Sequence, residues 1–182
     1  MASIENGQLQ FTNFTGYKNI VEAITIGLFN LDLKPKSKVC ILSHTRKDWH
    51  FLDMGILCSG ATSVPIYPSY TAEEVKYIIK HSEAEFLIIE DNKQFEKLIE
   101  ISDSLSEIKR IIAIEPIKKE LIEKLNFEKS IVSYEEFVQM VIDELQTHPD
   151  KFEFSIDSIS EEDTATIVYT SGTTGSPKGA VI

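Results

Sequence analysis

From about residue 37 the chain repeats one pattern: a short run of consecutive apolar residues, then a segment with apolar side chains at helical spacing. A strand that is apolar on both faces must be covered on both sides, whereas a strand with one wet face alternates apolar with polar. Lys38–Ser43, Glu85–Glu90 and Arg110–Ile114 are continuous runs of the first kind. Between them, residues 46–59 carry Trp49, Leu52, Met54, Ile56 and Leu57 and stop at Gly60, a helix terminator. Residues 93–105 place Phe95, Leu98, Ile99 and Leu105 on one helix face, and residues 17–30 do the same with Ile20, Val21, Ile24 and Leu28. Two capping boxes, Thr71-Ala-Glu-Glu74 and Ser133-Tyr-Glu-Glu136, open further helices. Ala61–Ile66 is a short extended run, and its Pro65 must lie where the ladder needs no donor. The expected fold class is α/β, a mostly parallel sheet flanked by helices. Residues 146–163, with Pro149 and the acid run Glu161-Glu-Asp163, read as an exposed connection.

The chain carries 29 acidic residues against 18 Lys and Arg, a formal charge of −11. A nucleic-acid surface would be basic, so that class is excluded, while a local nucleotide site is not. Cys40 and Cys58 sit inside apolar runs and read as buried free thiols. His44, His50, His81 and His148 are scattered, which argues against a zinc centre. The N-terminus shows no secretory signal and no apolar run reaches membrane-spanning length, so the expected compartment is cytoplasmic.

Chemistry concentrates at Tyr169-Thr-Ser-Gly-Thr-Thr-Gly-Ser-Pro-Lys-Gly179. Gly172, Gly175 and Gly179 allow sharp turns and a close approach of backbone amides to a ligand. The hydroxyls of Thr170, Ser171, Thr173 and Thr174 add donors, and Lys178 adds a mobile positive charge. Several short donors around one cation suit the spread negative charge of a polyphosphate. A Walker A loop would need glycine before the lysine and Ser or Thr after it; Pro177 and Gly179 stand there instead. A G-x-G-x-x-G fingerprint also fails, since no two of these glycines are two residues apart. Both flanks, Thr166–Tyr169 and Ala180–Ile182, are short, apolar and rich in β-branched residues, so the loop is expected to join two strands. On composition alone, an ordinary hairpin loop remains the alternative.

The unbroken match over residues 169–179 resembles the signature loop of the adenylate-forming (AMP-binding) enzymes: acyl- and aryl-CoA synthetases, luciferases and peptide-synthetase adenylation domains. The resemblance implies ATP binding, with the β- and γ-phosphates held by Thr170, Ser171, Gly172, Thr173, Thr174, Gly175 and Lys178, and with Thr170 helping to position magnesium. It implies attack of a carboxylate on the α-phosphate, giving acyl-AMP and pyrophosphate; Lys178 would take the catalytic role of neutralising the leaving pyrophosphate. Residues 37–91, with Arg46-Lys-Asp-Trp49, Gly55-Ile-Leu57, Gly60-Ala61, Val64-Pro-Ile-Tyr-Pro68 and Thr71-Ala-Glu-Glu-Val-Lys-Tyr77, are similar to the opening region of long-chain fatty-acyl-CoA synthetases. That branch implies a long-chain-fatty-acid–CoA ligase, with fatty acid, ATP and CoA as substrates and the intact enzyme at most peripheral to a membrane. An aryl-CoA ligase, an amino-acid-activating domain and a non-catalytic nucleotide-binding module are the alternatives.

Residues 1–182 would then be the N-terminal part of an AMP-binding (adenylation) domain, ending just after the loop. The family's adenine, ribose and CoA sites and its main catalytic lysine would lie in the remainder of the enzyme, which makes that remainder an expected partner. This chain alone is expected to be inactive.

Overall fold

The computed structural model describes residues 2–5, 8–125, 127, 130–138, 141, 150–170 and 177–182. Its centre is a five-stranded sheet in the order β4-β3-β5-β6-β7, built from Lys38–Leu42 (β3), Thr62–Ile66 (β4), Phe86–Ile89 (β5), Arg110–Ala113 (β6) and Ile131–Ser133 (β7). Every neighbouring pair in it is parallel. Two antiparallel hairpins complete the strands: Ala2–Glu5 (β1) with Gln8–Phe11 (β2), and Ile167–Thr170 (β8) with Lys178–Val181 (β9).

The continuous apolar runs are explained by the two faces they cover. Cys40, Leu42, Leu87, Ile89, Ile111 and Ala113 point to one side, where Ala72–Ser82 (α3), Asn92–Glu100 (α4) and Lys119–Leu125 (α5) close over them. Val39, Ile41, Phe86, Ile88 and Ile112 point to the other, covered by Phe14–Asn30 (α1), Lys47–Cys58 (α2) and the helical residues 134–138 (α6). Alternate residues of one strand thus serve two cores, so neither face can accept a polar residue cheaply. The helix α2 crosses α1 at Gly55, where an added Cβ would lie 2.8 Å from Ile24 Cβ, and Thr25 Oγ1 donates to the Gly55 carbonyl at 3.2 Å.

Both capping boxes form. Thr71 Oγ1 accepts from the Glu74 amide at 3.3 Å while Glu74 accepts from the Thr71 amide at 2.8 Å, and Ser133 and Glu136 repeat the exchange. Gly60 has a φ of +70°, the left-handed conformation that ends α2 without a Cβ penalty. Pro65 fits its strand by parity. The Thr62 amide bonds inward to Ser37, the Ser63 amide bonds outward to Ala165, and Pro65, two residues on, has its missing N–H on the outward side.

Some expectations need correction. Residues 150–163 are not a bare connection: Asp150–Asp157 form a helix (α7) whose Phe152 packs with Val21, Ala23 and Ile26 of α1, and whose Ser155 Oγ donates to the Cys58 carbonyl. The helix expected over 93–105 stops at Glu100 and gives way to a 3-10 turn at Ser102–Ser104. Met54 is exposed, and Phe51 takes the core position on α2. Cys40 is buried as expected, but Cys58 is only half-buried; both are free.

Candidate functional site

The loop is closed by a two-stranded base. Thr170 pairs with Lys178, Tyr169 with Gly179, Val168 with Ala180 and Ile167 with Val181. Thr170 and Lys178, both exposed, therefore stand side by side at the mouth of the loop. The join between two strands is as the flanks predicted. Ser171, Gly172, Thr173, Thr174 and Gly175 fall outside the described residues. Gly179 differs from its expected role. It lies within β9 rather than in the turn, and a Cβ there would meet Ile167 Cγ2 at 2.9 Å and the Tyr169 ring at 3.1 and 3.3 Å. Its missing side chain gives room to the Tyr169 ring.

The hairpin is fixed to the edge of the main sheet. The segment before β8 runs beside β4, with Ser63 bridged in parallel to Thr166. Thr62 Oγ1 donates to the Thr164 carbonyl at 3.0 Å, and Thr166 Oγ1 donates to the Ser63 carbonyl at 2.9 Å. Of the eight residues in β8 and β9, Tyr169 alone is buried, at 2% exposure, inside the cluster that holds α3 and α4. Burial pushes its hydroxyl up to about 12, and that hydroxyl lies 2.7 Å from His81 Nδ1 on α3.

The surroundings belong to the carboxyl ends of the parallel strands. Numbered along the sheet, the order 2-1-3-4-5 reverses direction between β3 and β5, and open α/β sheets place ligands outside the strand ends at such a reversal. Here the reversal is filled by charge. Glu90 accepts from the His44 amide at 2.8 Å and lies 2.6 Å from His44 Nδ1; Arg46 Nη1 donates to Glu90 at 3.2 Å and to Glu115 at 2.6 Å, and Arg46 Nε to Asp48 at 2.9 Å. Burial opposes ionisation of Glu90, but these donors outweigh it and hold its carboxyl below the usual range.

Beside that cluster a cleft of about 520 Å³ opens between the ends of β3 and β4 and the hairpin, lined among others by Ser43, His44, Trp49, Tyr67, Ser69 and Val168. One wall, the turn after β4, is pinned from α4: Lys97 Nζ donates to the carbonyls of Pro68 at 2.6 Å and Tyr70 at 2.7 Å. Burial lowers the Lys97 ammonium from its ordinary value. Tyr70 in turn reaches the Tyr169 carbonyl with a long 3.5 Å bond. Lys97, Tyr70 and His81 were not singled out from the sequence. Lys97 and His81 lie on amphipathic helices, where charged residues are ordinarily solvated; the fold brings Lys97 to the turn that carries Tyr70, and Tyr70 and His81 to Tyr169. Among the described residues no group of three His, Cys, Asp or Glu side chains could hold a metal ion. A magnesium ion carried by nucleotide phosphates needs no such cage.

The model of the family described as AMP-binding enzyme matches residues 8–182. Long-chain-fatty-acid–CoA ligase ACSBG2 of Xenopus laevis is 30% identical over 182 residues, which cover 100% of this chain and 23% of that protein. Long-chain-fatty-acid–CoA ligase FadD15 of Mycobacterium tuberculosis is 30% identical over 161 residues, 88% of this chain and 24% of its own. The chain thus spans about a quarter of the length of the curated relatives it matches. Among solved structures, the anthranilate CoA ligase AuaEII in complex with anthranoyl-AMP superposes with a TM-score of 0.77 at 20% identity, covering 100% of this chain and 31% of that one. A red-emitting luciferase from Phrixothrix hirtus gives 0.71 at 19% identity, covering 98% and 32%. These two likenesses establish the mostly parallel, helix-flanked fold. With the family model matched along nearly its whole length, the chain belongs to the AMP-binding enzyme family.

Proposed function

We propose that this chain is the N-terminal part of the adenylation domain of a long-chain-fatty-acid–CoA ligase, and that its loop holds the phosphates of ATP. The observation that carries the reading is the paired base Thr170–Lys178, which sets a hydroxyl and an ammonium together where the family's signature loop begins and ends. Adjacent donors of that kind suit a polyphosphate better than a neutral ligand. The relatives at 30% identity support the fatty-acid branch.

In this reading a fatty-acid carboxylate oxygen attacks the α-phosphorus of ATP, the bond to the β-phosphate oxygen breaks, and pyrophosphate leaves. Lys178 and the loop donors stabilise the charge that grows on the leaving group, so they act on the transition state more than on the bound substrate. A magnesium ion bound to the nucleotide phosphates would be held in part by the Thr170 hydroxyl and would neutralise phosphate charge. The CoA thiol then attacks the acyl carbonyl and AMP departs, with the groups for that step supplied by the rest of the enzyme. The chain by itself forms one wall of the site and is inactive.

The test is ATP–pyrophosphate exchange by the intact protein with palmitate, benzoate and a panel of amino acids. Exchange with palmitate supports the reading, and exchange confined to benzoate or an amino acid replaces it with another adenylate-forming activity. Lys178→Ala should slow the exchange by about 10²–10³-fold, the usual loss on removing one preorganised charge-stabilising group. Unchanged exchange in that variant would remove Lys178 from its role.

A further inference from the structure

We propose that His81 is a positioning residue for the phosphate loop, holding Tyr169, and through it the Thr170 end of the loop, in place from α3. The proposal rests on the reading of the loop as an ATP site and goes beyond it, since neither the loop motif nor its spacing involves α3.

The hairpin presents Thr170 and Lys178 outward, so its own exposed strands cannot fix where those groups point. Tyr169 is the one strand side chain sunk into the body of the protein, and it is the residue immediately before Thr170. Three surfaces set its position. Gly179 on β9 offers bare backbone to one side of the ring, as an added Cβ 3.1 Å from Cζ shows. Tyr77 meets it edge-on, with centroids 6.5 Å apart and planes at 90°. His81 also meets it edge-on at 5.7 Å and takes its hydroxyl at 2.7 Å.

Packing alone would let the ring slide along its slot; the hydrogen bond sets its depth. A buried phenol must place its proton, and in the tautomer with Nδ1 unprotonated His81 accepts it, 2.7 Å from the hydroxyl. His81 is itself held, stacked on Tyr77 one helical turn earlier with centroids 5.2 Å apart and planes at 25°. The capping box at Thr71 anchors the start of the same helix. A rigid helix therefore ends its reach at the backbone that opens the loop. Displacement of Tyr169 moves Thr170 with it, because adjacent Cα atoms are covalently fixed at about 3.8 Å, and it also shifts its register partner Gly179, the residue next to Lys178.

The experiment measures ATP–pyrophosphate exchange in the intact protein for wild type, His81→Phe, His81→Asn, Tyr169→Phe and the double variant His81→Phe/Tyr169→Phe. His81→Phe keeps the aromatic stack and removes the ring nitrogen; its KM for ATP should rise about tenfold, as for loss of one part-buried hydrogen bond, with a smaller change in kcat. His81→Asn, whose side-chain amide oxygen can reach the position of Nδ1, should recover most of that loss. In the Tyr169→Phe background the histidine change should add nothing further. A wild-type KM in His81→Phe overturns the proposal, and so does a full additional loss in the double variant or an Asn variant as poor as Phe. If the wild type itself shows no exchange with any acid, the functional reading fails and takes this role with it. A working wild type with unaffected variants sinks the role of His81 alone.

Discussion

Gly179 has a packing role that the motif does not name. In the sequence it is the third glycine of a loop that must come close to a ligand. In the structure it faces Tyr169 across the β8–β9 ladder, and the ring lies where its side chain would be. Gly179→Ala should therefore destabilise the hairpin locally, by about 1–3 kcal/mol for a methyl forced against a ring that is buried and hydrogen-bonded and cannot step aside. Amide hydrogen exchange along β8 and β9 checks this: faster exchange there, with the β3–β5 core unchanged, is the expected pattern. Unaltered protection would mean that Tyr169 moves freely. Gly55 is a second case. It sits on α2 against Ile24, and its contact is invisible in a heptad-like reading that scores glycine as merely a poor helix former. Thr170 and Lys178 were legible as a pair because the motif names them. His81 was not, because a histidine on an exposed helix position carries no signal until the partner it touches is known, and that partner is 88 residues away.

At the scale of elements, the legible ones were those whose ends are encoded locally. The helix α3 announces its start with Thr71 and Glu74, both of whose reciprocal bonds form. Its end was not encoded: Glu83 caps it with a φ of +56°, a left-handed conformation in a residue with a Cβ. Among the described residues the Glu83 side chain makes an exposed 3.6 Å pair with Lys38, which contributes little. Glu83→Gly should thus stabilise the protein by roughly 0.5–1 kcal/mol through relief of that strain. The check is the urea midpoint, and a fall would show that the Lys38 pair matters more than the backbone. The helix α7 escaped notice for the opposite reason. Its apolar residues, Phe152, Phe154 and Ile156, recur every second position among acids, so no helical stripe is visible; only Phe152 is buried, and Phe154 stays 78% exposed. Tertiary contact with α1 selects the helix where local pattern does not. The strand β7 is only three residues long, and its place is set by pairing with β6 across the intervening α5.

At the scale of the whole molecule, the acidity of the chain has a defined consequence for its stability. Several carboxyls are held below their ordinary range by specific donors. Lys109 and Ser37 hold Glu85 down against the opposing effect of burial; His44 and Arg46 do so for Glu90, likewise against burial; Thr71 does so for Glu74, Ser133 for Glu136, and Ser160 with Lys36 for Asp163. A carboxyl whose folded value is depressed binds its proton more readily in the unfolded chain. Its stabilisation is therefore complete above the unfolded value, about 4.3 for Glu and 3.9 for Asp, and is lost as pH falls through the lower folded values. The urea midpoint should be flat from neutral pH down to about 5 and then drop steeply below about 4. The Arg46 cluster tests the cause as well as the sign, because Arg46 binds Glu90, Glu115 and Asp48 at once across the ends of β3, β5 and β6. Arg46→Gln removes the cation, so it should lower the midpoint at pH 7. That deficit should shrink as the pH falls and Glu90, held below its ordinary range in part by Arg46, takes up its proton. A deficit that stays constant down to pH 3 would mean that Arg46 acts through its packing and not its charge, and the ends of β3, β5 and β6 would then be held together by shape alone.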